Sequence, residues 1–199
     1  MNYTAKMKHS GETITRLVVM QYDTFQFGKK FVRILFSLVL IAYGALFLQE
    51  KMVTPILALF LGCMMIAGLN TRPKHNANLL IKQMNGKFPS SDYYFSETGF
   101  KDSVKSEEIP YSRLVRLVDD RKYMYFYVTK ESAYMVDNAS VKGEGGLEGL
   151  KDFVAAKSGL KWTRPVTLLN FGLNTFRQNR GREDNYSGPR LTDRNFRRY

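Results

Sequence analysis

The chain has 199 residues, with 30 Lys and Arg against 18 Asp and Glu, a net charge of +12 and one cysteine. Its length allows about one modest domain beside a pair of apolar helices. The lone cysteine excludes a disulfide framework within the chain, and a mean hydropathy of -0.29 excludes a protein lying mostly inside a bilayer. The basic surplus is uneven: Lys161 to Tyr199 carries nine Lys and Arg against three acids. That balance suits an anionic leaflet or an acidic partner, with nucleic acid still open.

At the N-terminus, Tyr3, Ala5 and Met7 alternate with polar residues, which predicts a short strand over Asn2–Lys8. Ser10-Gly11-Glu12-Thr13 then offers helix caps with an early acid. Ile14, Leu17, Val18, Tyr22 and Phe25 come next at the spacing of one helical face. The reading is an amphipathic helix from about residue 12 to 27, running into the first long apolar segment. It either lies on a membrane surface or packs against the soluble domain.

Two apolar runs come next, Phe31–Leu48 and Met52–Leu69, separated by Gln49, Glu50 and Lys51. Each makes roughly 27 Å of helix, close to the ~30 Å hydrocarbon core of a bilayer. The one full charge inside them, Arg33, lies near an end where its side chain can snorkel to the headgroups. A cleaved leader is not expected, because the first run begins after thirty residues and a second succeeds it at once. Basic flanks at Lys6, Lys8, Arg16, Lys29 and Lys30, and again at Arg72, Lys74, Lys82 and Lys87, predict both termini in the cytoplasm. Thr54-Pro55 resembles a cap with proline at the first helical position, so the second helix is read as roughly Pro55–Leu69, short enough that a re-entrant hairpin stays open. Ala58 and Gly62 are spaced for close helix packing. Cys63, mid-run, reads as a small buried hydrophobe.

Beyond the hairpin, Lys74–Met84 predicts a short polar helix. From Ser91 the period shifts to strands: Tyr93-Tyr94-Phe95, then Phe100–Lys105, then Ile109–Val118 with a bend at Pro110-Tyr111-Ser112. Tyr123–Thr129 is the strongest strand pattern, and Ser132–Val136 pairs back on it across Lys130-Glu131. Leu147, Leu150, Phe153 and Val154 lie at helical spacing within Glu144–Lys157, closed by Gly159. The fold class is therefore an α+β membrane protein: a two-helix transmembrane hairpin plus a small antiparallel sheet capped by a C-terminal helix, in the manner of a pleckstrin-homology-like half-barrel. The division is 1–30 for strand and amphipathic helix, 31–69 for the hairpin, 70–160 for the cytoplasmic domain and 161–199 for a basic tail.

The segments "YYFSETGF", "EEIPYSRLVRLVDDRKYMYFYVTKESAYMV" and "GLEGLKDFVAAKSG", behind two adjacent apolar helices, resemble the YcxB-like family. These are bacterial membrane proteins whose soluble part is grouped with pleckstrin-homology-like domains. The resemblance covers roughly residues 1–160 and rests most on Ile109–Val115 and the aromatic strand Tyr123–Val128. It implies an architecture and no activity.

The chemical inventory is thin. His9 and His75 lack ligand-spaced partners and read as surface histidines, so no metal is expected. Gly143, Gly145, Gly146 and Gly149 lack the setting of a phosphate loop and read as a flexible approach to the last helix. The acid pairs Glu107-Glu108 and Asp119-Asp120 read as solvated strand ends, not acid–base machinery. Tyr123–Tyr127 as a nucleic-acid stacking platform is the weaker reading beside simple packing. In the tail, the apolar stretch Pro165–Phe176 ahead of Arg177, Arg180 and Arg182 suggests an interfacial helix, and Asn185–Tyr199 reads as disordered. Arg190, Arg194, Arg197 and Arg198, interleaved with Phe196 and Tyr199, could hold an acidic partner, a headgroup or RNA, or form a solvated cytoplasmic tail that binds nothing. The expectation is a non-enzymatic, cofactor-free module at the inner leaflet of the cell membrane. Its partners would be the bilayer and a protein, with a homo-oligomer open. The alternative is an accessory subunit of a larger membrane complex.

Overall fold

The first strand is built as its pattern demands. β1 (Tyr3–Lys8) buries Tyr3, Ala5 and Met7 and exposes the residues between. Ser10 then caps α1 (Gly11–Leu46), where Ser10 and Thr13 satisfy each other's backbone N–H in a reciprocal box. The computed structural model describes residues 2–49, 53–104 and 108–165. The chain continues as α2 (Val53–Ala67), α3 (Thr71–Gln83), β2 (Ser90–Phe95), β3 (Gly99–Asp102) and β4 (Glu108–Pro110). One 3-10 turn at Tyr111–Arg113 leads to β5 (Arg116–Asp119), β6 (Tyr123–Tyr127), β7 (Ala133–Asp137), α4 (Gly146–Ser158) and β8 (Trp162–Thr163).

α1 is a single helix of 36 residues, roughly 54 Å long. Its C-terminal half runs antiparallel to α2. Gly44 meets Pro55 and Leu59, while Gly62 meets Ser37 and Ile41. A Cβ at Gly44 would lie 2.6 Å from the Pro55 carbonyl oxygen, and one at Gly62 would lie 2.7 Å from Ile41 Cγ1. Bare backbone at both positions is what lets the helices close. α2 passes through the turn at Gly68–Asn70 into α3, which returns along the N-terminal half of α1 with Ala77 fully buried. Among the described residues, one helical stretch is long and apolar enough to cross a membrane, Val53–Gln83, which takes in α2, the turn and α3.

The expected single sheet is instead two. β1-β2-β3-β4 form one antiparallel sheet; β7-β6-β5-β8 form the other, with β8 parallel to β5. The N-terminal strand pairs with β2 over its whole length, Tyr3 opposite Phe95 and Lys8 opposite Ser90. A second tie runs from Thr4 to Lys142. Thus β1 reaches across the sequence of three long helices to complete the sheet.

β6 sits inside its sheet and is buried throughout. The strand period of two explains why. Phe126 points toward the first sheet, 5.6 Å from Phe95 and 5.7 Å from Phe100 between ring centres. Tyr125 and Tyr127 point the other way, beneath α1. The second sheet is therefore the middle layer, between the first sheet and α1. α4 closes the far side through Leu150 and Val154, both fully buried. Phe153 lies 5.4 Å from the ring of Tyr3 and 5.8 Å from that of Tyr111. Gly159 ends the helix in the left-handed region at φ 65°.

Candidate functional site

The covered face of the second sheet and the N-terminal half of α1 meet in a polar seam. Tyr123, Tyr125 and Tyr127 alternate along β6, and Arg116 stands opposite Tyr127 on β5. Covering three tyrosines and an arginine with a purely apolar helix would strand their polar atoms at a cost of about 1–3 kcal/mol each. The helix instead presents Arg16, Gln21 and Thr24.

Arg16 Nε donates to Asp120 Oδ2 and Arg16 Nη2 to Asp120 Oδ1, each at 2.9 Å. Tyr125 donates its hydroxyl to the same Oδ2 at 3.1 Å. The Arg16 guanidinium also sits 5.3 Å from the Tyr123 ring centre, a cation–π placement. Hydrogen bonding to Asp120 raises the Arg16 pKa, and burial, reinforced by Asp120, pushes the Tyr125 phenol up. The phenol thus stays protonated and serves as a donor. Further along, Gln21 Nε2 donates to the Lys130 carbonyl, Arg116 Nη1 donates to the Thr24 carbonyl at 3.4 Å, and Phe25 meets Tyr127 edge-on at 5.1 Å. Every turn of α1 from Arg16 to Phe25 is fastened to the sheet.

Beyond the seam, basic residues gather at one level of the long helices as a collar. Lys30 Nζ donates to Asp23 at 2.7 Å and to Asn70 Oδ1 at 3.0 Å, tying α1 to the start of α3. Arg33 lies against Gly68. Lys29, Arg72 and Lys74 are exposed. Past the collar the helix surfaces turn apolar and open. Leu46 is 78% exposed and Phe60 67%, with Leu35, Phe36, Val39, Leu57 and Leu61 also bare. A continuous apolar surface of this size does not belong on a monomer in water.

Several sequence expectations are revised. Asp120 is no solvated strand end, since its side chain is 4% exposed and holds the seam together. Asp119 likewise pairs with Lys151 at 2.9 Å and accepts from Asn138. His9 is half-buried, with Nδ1 enclosed, and burial lowers its pKa; His75 is exposed as expected. Cys63 is exposed on the bare face of α2, not buried. The aromatic strand offers no face for stacking bases, because both sides are covered. The amphipathic helix packs on the domain through Leu17, Met20 and Phe25. Arg177, Arg180, Arg182, Arg190, Arg194, Arg197 and Arg198 lie outside the described residues, as does Glu107.

Alternating tyrosines on β6 together with polar residues on the domain face of α1 were the available signal for the seam. Among the described residues no group of three His, Cys, Asp or Glu is placed to hold a metal. Comparison with protein-family models, curated proteins and solved structures finds no match to this chain.

Proposed function

We propose that this chain is a membrane-anchored interaction module. In this reading α1 and α2 form a transmembrane hairpin that holds a pleckstrin-homology-like domain at the inner leaflet, where it docks a protein or lipid without catalysing a reaction. The observation that carries it is the continuity of α1. One unbroken helix runs from the seam at Arg16 to the bare apolar surface at Leu46. An anchor on a loose linker would only localise the domain. An anchor clamped by an ion pair whose carboxylate is buried also fixes which surface faces the bilayer. The order of a four-stranded antiparallel sheet, a three-stranded meander and a closing helix supports the pleckstrin-homology-like reading and agrees with the YcxB-like resemblance. The basic collar supports a cytoplasmic location for both termini.

The test is affinity purification of the tagged full chain from membranes, followed by mass spectrometry of proteins and lipids. A reproducible partner at variable stoichiometry supports the module. A fixed stoichiometric membrane complex would favour an accessory subunit instead. Orientation is checked in a Cys63→Ala background with an impermeant thiol reagent on intact cells. Gln49→Cys should label and Lys87→Cys should not; the reverse result overturns the topology.

A further inference from the structure

The collar has an unbalanced charge at a defined level of the molecule. Lys30 and Arg33 on α1 face the segment that leads into Arg72 and Lys74, because Lys30 bonds Asn70 and Arg33 lies against Gly68, and the exposed Lys29 precedes Lys30 by one residue. With the helices antiparallel, these five cations fall within about 10 Å along the axis. One carboxylate, Asp23, answers them, and it is taken by Lys30. Between Thr24 and Ser91 the sequence holds a single acid, Glu50, at the opposite end of the apolar run. Lys29, Arg72 and Lys74 have no acidic partner among the described residues. Five cations at one level, with Asp23 neutralising only Lys30, repel one another and raise the local potential. The apolar surface begins directly beyond them.

From this we infer that the collar binds the phosphate groups of anionic phospholipid, through Lys29, Arg72 and Lys74. This rests on the membrane reading above and adds the site and the lipid class to it. The geometry suits lipid in particular: the acyl chains would lie along the bare faces of α1 and α2 while the phosphate meets the collar. A soluble anion would gain only the second contact. Lys30 ties α1 to the start of α3 at this level through Asn70.

The test uses the full chain purified in a neutral detergent, with its thermal transition followed during titration by dioleoylphosphatidylglycerol, dioleoylphosphatidylcholine or inorganic phosphate. Phosphatidylglycerol should raise the transition, and neither of the other two should. The effect should weaken as salt is raised, since screening acts within about 8 Å at physiological ionic strength. Each basic residue near an anionic leaflet is worth about 1 kcal/mol, roughly fivefold in affinity. Replacing all three, as Lys29→Gln, Arg72→Gln and Lys74→Gln, should therefore raise the half-saturating phosphatidylglycerol on the order of a hundredfold. The lipid-free transition should not change. Equal shifts from phosphatidylcholine, a shift from phosphate alone, or an unchanged triple variant would each overturn the site. If the triple variant does not fold, the salt dependence of the wild type decides, and insensitivity to salt overturns the proposal. Extraction of native membranes with alkaline carbonate separates the two levels. Release of the chain sinks the membrane reading itself, whereas retention without a phosphatidylglycerol effect sinks only the collar.

Discussion

Arg16 and Asp120, 104 positions apart, meet in a two-pronged ion pair with both bonds at 2.9 Å, and the hydroxyl of Tyr125 completes the carboxylate's shell. The two partners are unequally buried, at 39% and 4% side-chain exposure. Loss of the arginine strands a buried carboxylate. Loss of the carboxylate strands a phenol and leaves a cation that can still reach water.

Arg16→Ala is therefore expected to cost about 2 kcal/mol. This lies below the ~3–5 kcal/mol typical of breaking a fully buried pair, because solvent screens the exposed arginine. Arg16→Lys should recover little of it, since one ammonium cannot match both carboxylate oxygens. A double-mutant cycle with Asp120→Asn, read by denaturant unfolding in detergent, measures the coupling. Additive losses would remove the pair from the account of how helix and sheet are held.

Close approach of α1 and α2 gives a second prediction. A methyl group at Gly62 would meet Ser37 O at 2.8 Å and Ile41 Cγ1 at 2.7 Å. Backbone on one side of that gap cannot yield without separating the helices. Gly62→Ala should cost about 1–3 kcal/mol as overpacking, and Gly44→Ala a similar amount. Both are read as a lowered apparent Tm in detergent. Ala58, the other member of the pair singled out from spacing, is half-buried. Variants at Gly62 with unchanged Tm would show that the helices are not in contact there.

The elements were largely legible in the sequence and their assembly was not. Periodicity located β1, the helical face of α1 and the aromatic strand, because each pattern is local. Whether β6 lies under a second layer depends on what covers its odd-numbered face. That is a contact between Arg16 and Asp120 which no local window contains. The burial of Asp120 is hidden for the same reason: an acid beside another acid at a strand end is solvated unless a distant helix lies over it. β8 leaves no trace in the pattern because Trp162–Thr163 has only two residues, too few to show a period. Its Trp162 ring nevertheless packs on Phe126 at 5.6 Å.

The pairing of β1 with β2 has a consequence for dissection of the chain. A fragment beginning at residue 70 would hold the later strands but lack both β1 and the Arg16 cover. The edge of β2 from Ser90 to Phe95 would lose its partner strand, and Tyr3 would no longer pack on Phe153. Such a fragment should show no cooperative thermal transition and should aggregate through the bared edge. Adding a peptide of residues 2–27 should restore the transition at least in part. A fragment that melts cooperatively without the peptide would mean that β1 and α1 are ornaments on a self-sufficient domain.

His9 sits at the corner between β1 and α1, where its backbone N–H bonds the Pro89 carbonyl and its Nδ1 is enclosed without a partner. Burial lowers its pKa from 6.5, and Asp102 opposes that shift only in part. The folded protein thus takes up the proton less readily than the unfolded chain. Well above pH 6.5 both states hold a neutral imidazole and stability is unaffected by this group. As pH falls below 6.5 the unfolded state protonates first, so the folded state loses ground until its own, lower pKa is reached. The full chain should lose apparent Tm between pH 7 and pH 5 more steeply than His9→Gln, which has no such proton to bind. Curves that fall in parallel over that range would show that the corner histidine carries no part of the acid sensitivity.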